Sequence, residues 1–359
     1  TPPNPPAALY PPKIRATSGM LLSHVVRRQQ EQRSCADLGV QDLVGGYPQG
    51  LQTHTSAGQG VVMPVSPRRP ANLQGRVFRG SRVVAQGLLT RTELRSRAWR
   101  PLFRDVYADA QLEVTHRTRC AAAVRWVLPP GVVIAGRSAA ALYGAASVAD
   151  HEPLDVLVPA AQRFGPVSGL VVHASEIAAT DVAIRQGIPL TTPTRTCWDL
   201  AQWLPTEEAV AIVDRLASHR LVVIPELRAG SRSRAGNRGW RRMMRVAELA
   251  DAGAESAPES RLRVRIVLAG VQTPVTQFVV ERDGRFVARL DLAWPHLKVA
   301  VEYDGLWHDD PEQFHRDRRR LNRLLGEDWI VLHITAKRFR EDFDGFLAEL
   351  RQALRSRSR

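Results

Sequence analysis

The sequence predicts an α/β chain, α+β in its last third, on three observations. Residues 255–355 change periodicity in the order α-β-β-β-α-β-α. Residues 110–227 mix amphipathic helices with short apolar strands. Ahead of them a capped basic helix runs into a short hairpin, the element order of a winged helix.

The first 78 residues carry none of these periods. "TPPNPPAALYPP" and "MPVSPRRPANLQG" are proline-rich, so this segment reads as disordered, with Met20 or Met63 as candidate starts of translation. In "VVAQGLLTRTELRSRAWRPLFRDVYAD" (83–109) a helix is expected up to a tight turn at Gly87. A second helix opens at Thr90, whose partner Glu93 completes a capping box. "WRPLFRDVYA" follows as a strand pair, so 79–109 reads as a winged-helix DNA-binding module. Arg91, Arg95 and Arg97 on the second helix, with Arg100 and Arg104 on the hairpin, suit a helix in the major groove and a wing on the backbone.

Within 110–227, "HRTRCAAAVRWVL" is an amphipathic helix and "GVVIAGRSAAALYG" a strand followed by a small-residue helix. "LDVLVP" and "LVVHAS" are strands, and 194–218 gives two helices split by Pro205. His116, His151, His173 and His219 show no metal-ligand spacing. "RAGSRSRAGNRG" (228–239) reads as a basic Gly/Ser linker and the chain's best domain boundary, with 228–254 as linker and helix.

From 255 to 359 the reading is clearest. "PESRLRVRIVLAG" (258–270) is a helix with Leu262, Ile266 and Ala269 on one side and Glu259 at its start. "TPVTQFVVERDGRFVARLDLAW" (273–294) is a hairpin turning at Asp283-Gly284. "KVAVEYDG" (298–305) is a third strand, a charged helix opens at Asp309 and runs through Leu325, and "DWIVLHIT" (328–335) is a fourth strand before one last helix.

A two-residue loop at His296–Leu297 pairs Asp291 with Glu302, and alternation puts Asp304 on the same face. Directly opposed side chains lie about 5 Å apart at Cβ, and two carboxylates that close repel unless a cation or proton intervenes. Mg²⁺, or Mn²⁺ in its place, is the economical cation for Asp291, Glu302 and Asp304. Leu290, Leu292, Val299, Val301 and Tyr303 are left to pack as core.

Charge points the same way. Fifty Lys and Arg against 36 Asp and Glu leave +14, yet residues 255–359 hold 19 basic and 17 acidic residues, so the excess lies upstream. A chain this basic favours a polyanionic partner, with DNA foremost. No run approaches the roughly 18 apolar residues of a membrane span. No secretory leader is evident, and Cys35, Cys120 and Cys197 form neither a zinc pattern nor a disulfide framework, so a cytoplasmic setting without membrane partners is expected.

Two resemblances extend this reading. The capped helix, "RDVYA", "GRSAAALYG" and "TRTCWDLA" resemble the front half of AbiEi-type antitoxins, whose winged helix binds operator DNA. "ESRLR", "RLDLAW", "VAVEYDGLWH" and "RDRRRLN" resemble the PD-(D/E)XK (restriction-endonuclease-like) superfamily, and within it the very-short-patch repair endonucleases. The second resemblance implies that Asp291 and Glu302 hold the metal, that Glu259 orients a metal-bound water, and that His308 and Asp317 serve catalysis. The chain departs from it at Asp304, where the superfamily carries lysine and the repair enzymes histidine. Activation of the nucleophile would then fall to a metal hydroxide, with His308 as proton carrier.

The expected function is a Mg²⁺-dependent DNA endonuclease of repair or of defence against foreign DNA, with Arg316, Arg319, Arg320 and Arg323 on flanking phosphates. Two alternatives stay open: a non-catalytic DNA-binding regulator or antitoxin of a type IV toxin–antitoxin-like system with a toxin partner, and an RNA-processing enzyme sharing the same chemistry.

Overall fold

The computed structural model describes residues 67–162, 165–304 and 328–358. The described residues belong to one compact unit. Its helices and several sheets make an α/β fold.

The first layer is a three-stranded antiparallel sheet in the order β1-β3-β2, from β1 (Val77–Arg79), β2 (Trp99–Phe103) and β3 (Val106–Asp109). Folded structure therefore begins before residue 79. Arg69 grips the buried Asp109 with two bonds of 2.6 and 2.7 Å, and the Gly75 amide donates to the same carboxylate. Helix α1 (Gly80–Ala85) ends at a turn through Gly87, whose φ of +67° suits glycine.

The capping box forms, with the Thr90 amide donating to Glu93 Oε2 at 2.6 Å and the Glu93 amide to Thr90 Oγ1 at 3.1 Å. The second helix does not follow at the expected length: only a 3₁₀ turn, Glu93–Arg95, is present. Leu89, Leu94 and Ala98 are the buried positions here, too few for a helical stripe. Trp99 packs edge-on against Phe78 at 5.2 Å, drawing the chain into β2.

The middle region is built on a five-stranded mixed sheet, β6-β5-β4-β8-β7. Its strands are β4 (Val133–Ile134), β5 (Leu154–Pro159), β6 (Leu170–Ser175), β7 (Val182–Arg185) and β8 (Ile188–Thr191). The β7–β8 hairpin turns through Gln186 and Gly187, both at positive φ. Around the sheet pack α2 (His116–Trp126), α3 (Gly136–Leu142), α4 (Pro193–Trp203), α5 (Thr206–Ser218), α6 (Ile224–Ser233) and α7 (Trp240–Leu249).

Gly136 opens α3 at φ +50°, and a Cβ there would meet Trp203 at 2.8 Å and Asp155 Oδ2 at 3.0 Å. Gly136→Ala is therefore expected to cost about 2–4 kcal/mol in unfolding free energy, from left-handed strain plus overpacking. Chemical denaturation measures it.

Residues 228–233 are not a linker. They complete α6, where Leu227 and Ser231 are buried and Arg228 Nε donates to the Ala247 carbonyl on α7 at 2.9 Å. One helix face needs only those two small or apolar positions, so a Gly/Ser/Arg composition disguised it. Both helices belong to the middle region's core.

Helix α8 (Ala257–Leu268) starts the last region and is shared: Val264 joins the middle core while Leu262 and Ile266 join the next. Arg263 on α8 ion-pairs with Asp214 on α5 at 2.8 Å, both fully buried. The four-stranded sheet then runs β12-β11-β10-β9, from β9 (Val275–Arg282), β10 (Arg285–Trp294), β11 (Val299–Asp304) and β12 (Ile330–Thr335). Asp283 and Gly284 both take positive φ in the β9–β10 turn.

Strands β10 and β11 are joined by a 3₁₀ turn, Pro295–Leu297, and left-handed Lys298, a longer connection than the two-residue loop expected. The register is unchanged, with Leu292 opposite Val301 and Trp294 opposite Val299. Strand β12 lies parallel to β11, pairing Glu302 with His333 and Asp304 with Thr335. The helix expected between them falls on 305–327, outside the described residues. The last helix is two, α9 (Ala336–Glu341) and α10 (Phe343–Arg357), because Asp342 leaves helical geometry and caps α10 through the Gly345 amide at 3.2 Å.

Of the expected core face, Leu292, Val299 and Val301 pack under α8 and α10, with Tyr303 against them. Leu290 instead joins a second core with Ala293, Ala300 and Trp329. The central strands are thus buried on both faces, as sheet centres covered on two sides are.

Candidate functional site

Beyond the Leu292–Val301 pair the acids begin. Asp291 is the next residue on β10 and Glu302 the next on β11, one step past the last pair of the β10–β11 register. The Asp291 carboxylate accepts the Tyr303 amide at 3.0 Å, so an acid occupies a place where a strand carbonyl would otherwise receive that N–H. Glu302 is buried at 8% exposure, and Asp304 follows at the strand's end.

Glu259 reaches this cluster from the first turn of α8. Ser256 caps the helix, and Glu259 returns a hydrogen bond from its third position, with Ser256 Oγ donating to Oε1 at 2.7 Å. Its Oε2 accepts from the Glu255 amide at 3.2 Å and from Gln277 Nε2 at 2.9 Å. Burial holds the Glu259 carboxyl above its ordinary range, and the charge of Asp291 pushes it further up. A nearby like charge disfavours the ionised form of a carboxyl in this way.

His333 and Gln277 join the cluster without having been expected. His333 Nδ1 lies 3.1 Å from Asp304 Oδ1, a contact that fixes the ring's orientation and places the Nδ1 proton toward the carboxylate. His333 interrupts the apolar run "IVLHIT" at the position level with Glu302, and that interruption was its signal. Gln277 sits at φ +50°, a strained conformation for a non-glycine residue, and nothing in "TPVTQFVV" marks it.

The remaining expected site residues divide. His308, Asp317, Arg316, Arg319, Arg320 and Arg323 lie outside the described residues. Arg91, Arg95, Arg97 and Arg104 are exposed on the 3₁₀ turn, its flanks and the β2–β3 turn. Arg100 is exposed too, but its guanidinium donates to the Ala110 and Leu112 carbonyls at 3.1 and 3.2 Å and braces the chain after β3.

In kind the donors fit a hard divalent cation: they are carboxylate oxygens, partly buried and mutually repelling. In position they are gathered but not closed, for among the described residues no three His, Cys, Asp or Glu side chains converge on a metal. Among those residues, too, no helix is long and apolar enough to cross a membrane.

No family model matches the chain. Three proteins of Mycobacterium tuberculosis are similar to it. Two curated relatives, the uncharacterized proteins MT2308 of Mycobacterium tuberculosis strain CDC 1551 / Oshkosh and Rv2248 of strain H37Rv, are each 29% identical over 206 residues, covering 57% of this chain and 74% of theirs. A crystal structure of the RV2827C protein from Mycobacterium tuberculosis aligns at a TM-score of 0.35 and 16% identity, covering 56% of this chain and 78% of that one.

Proposed function

We propose that the chain is a metal-dependent endonuclease acting on DNA in the cytoplasm, in repair or in defence against foreign DNA. The observation that carries this reading is the gathering of Glu259 with Asp291, Glu302 and Asp304 at one end of the sheet, where burial first, and the Asp291 charge after it, hold the Glu259 carboxyl above its ordinary range. Carboxylate oxygens gathered at one sheet end are donors of the kind that a hard divalent cation takes. Asp291, Glu302 and Asp304 would hold Mg²⁺ or Mn²⁺. When bound, such an ion supplies charge for a phosphoryl oxygen and a readily ionised water.

The protein's own groups do the positioning. The Tyr303 amide fixes Asp291, and Ser256 with Gln277 fixes Glu259. His333 holds Asp304 in line. The exposed Arg91, Arg95, Arg97 and Arg104 supply the cationic surface that phosphates require. His308 and Asp317 keep the catalytic roles that the repair-endonuclease resemblance gives them, and Arg316, Arg319, Arg320 and Arg323 the phosphate contacts.

The test is nicking of supercoiled plasmid by the full chain in Mg²⁺ or Mn²⁺. Asp291→Ala is expected to lose at least the ~10–100-fold that outer-shell changes around metals typically cost. Equal nicking by wild type and variant overturns the assignment.

One observation favours a second reading, a non-catalytic DNA-binding regulator or antitoxin. Both oxygens of Glu259 already accept hydrogen bonds, from Ser256 and the Glu255 amide at the helix cap and from Gln277 on β9, which account for the residue without a metal. Salt-sensitive binding of duplex DNA in EDTA, with no nicking in either metal, decides for it.

A further inference from the structure

Away from the acidic face, the middle region contains a cleft that the proposed nuclease does not use. It opens where α4, the end of β6 and the segment entering α7 meet, and its volume is about 710 Å³. Clefts of roughly 300–1,000 Å³ are the size class of small-molecule sites.

Its walls are aromatic and cationic. Trp198, Trp203 and Trp240 line it together with Arg238, Arg241 and Arg242, and among the described residues Asp199 is its one acid. Trp203 is already stacked on His173, with ring centres 3.5 Å apart and planes 5° from parallel. Trp198 and Trp240 are the remaining indoles, each with an arginine over its ring, Arg234 at 5.2 Å and Arg241 at 5.6 Å.

The cleft is a built structure. Gln202 Nε2 donates to the Gly239 carbonyl at 3.0 Å, and Arg242 Nη1 donates to the Gln202 carbonyl at 2.8 Å, latching the entry of α7 onto α4. Gly239 is at φ +85°, and a Cβ there would overlap the Gln202 amide, so only glycine permits the latch.

Asp199 is the second, independent observation. It is 2% exposed and its Oδ1 is held by Arg195 Nε at 2.9 Å. Its Oδ2 is buried and has no hydrogen-bond partner among the described residues. A buried acceptor without a donor is costly, and a ligand N–H at the cleft's floor would satisfy it.

We infer that this cleft binds a nucleoside phosphate, with the base on Trp198 and Trp240, the phosphate on Arg238, Arg241 and Arg242, and a base N–H directed at Asp199. Indole faces accept any base, guanidinium groups take phosphate, and a lone carboxylate oxygen selects an amino or imino donor. A duplex hides base faces and N–H donors within its stack, so the ligand is a free nucleotide or an unstacked nucleotide of a single strand. This inference does not rest on the acidic face.

The experiment uses the full chain in EDTA, which removes metal-dependent cleavage from the readout. A fluorescein-labelled single-stranded DNA ten-mer is titrated by anisotropy, and dGMP and dAMP by calorimetry. Trp240→Ala and the Arg238→Glu/Arg241→Glu double variant are each expected to weaken binding by about tenfold or more. The arginine pair is exposed, so that variant carries the test even if the tryptophan variant unfolds. Binding of the mononucleotides identifies a free nucleotide as the ligand, and binding of the ten-mer alone identifies a nucleotide within a strand. Wild type binding neither probe, or the arginine variant binding as tightly as wild type, overturns the inference.

Discussion

Replacing Arg263 by leucine is expected to lower the unfolding free energy by about 3–5 kcal/mol, the usual effect of stranding one member of a buried ion pair. Arg263 and Asp214 are 3% and 2% exposed at their side chains and 2.8 Å apart. Arg263 also donates to the Leu249 carbonyl at 2.6 Å, and Asp214 accepts the Asp251 amide at 2.7 Å. These bonds join α5, α7 and α8 at the seam between the middle region and the last one. The double variant Asp214→Leu/Arg263→Leu is expected to recover most of the loss, since a buried pair seldom outweighs an apolar replacement. The part not recovered is the Asp251 amide, left without its acceptor, and the Leu249 carbonyl, left without its donor. Denaturant unfolding of the three variants gives the coupling directly.

The same pair sets a pH dependence. Burial, opposed by Arg263, pushes the Asp214 carboxyl from 3.8 up to about 6. Between about pH 4 and 6 the native chain keeps a proton that the unfolded chain has released. This contribution to stability is therefore complete at lower pH and is lost as pH rises through about 6. Relative to Asp214→Asn, wild type should lose stability across that window, and unfolding curves at a series of pH values measure the difference.

Trp294→Ala is expected to cost a similar amount, about 3–5 kcal/mol for a large buried aromatic. Trp294 is 1% exposed in the core beneath β10 and β11, and its indole N–H donates to the Gln272 carbonyl at 2.9 Å. Truncation leaves both a cavity and an unsatisfied carbonyl. Trp294 pairs with Val299 at the closed end of the hairpin, three residues after Asp291 on the same strand. A loosened end should therefore blunt the response to divalent cation as well. The denaturant midpoint reads the first effect and a melt with and without Mg²⁺ the second.

Local rules were legible where one residue carries them. Asp283-Gly284 announced its turn because both positions need positive φ, and Thr90 with Glu93 announced a cap. The pairing of β10 with β11 followed from alternation, and it survived a longer connection because Lys298 takes the left-handed conformation and absorbs the difference. Long-range packing was not legible. Arg263 looks like any arginine of a basic helix until α5 covers it. Residues 228–233 looked like a linker because Leu227 and Ser231 alone face the core. The β7–β8 hairpin was missed because its strands are four residues each and one contains Pro189. The candidate site shows the same split: Asp291, Glu302 and Asp304 came from strand parity, whereas His333 and Gln277 arrive through sheet order.

Whether the acidic face takes a divalent cation is the claim on which the nuclease reading depends. The measurement is thermal unfolding of wild type and Asp291→Asn, each in EDTA and in excess Mg²⁺. Asparagine keeps an oxygen for the Tyr303 amide, so the fold is preserved while one facing charge is removed. In EDTA the variant should melt at or above wild type, because the repulsion with Glu259 is relieved. Mg²⁺ at a hundredfold excess over its Kd should stabilise wild type by about 2.7 kcal/mol and raise its Tm by several degrees. The variant should not respond. Equal shifts in both proteins, or none in wild type, would contradict the account.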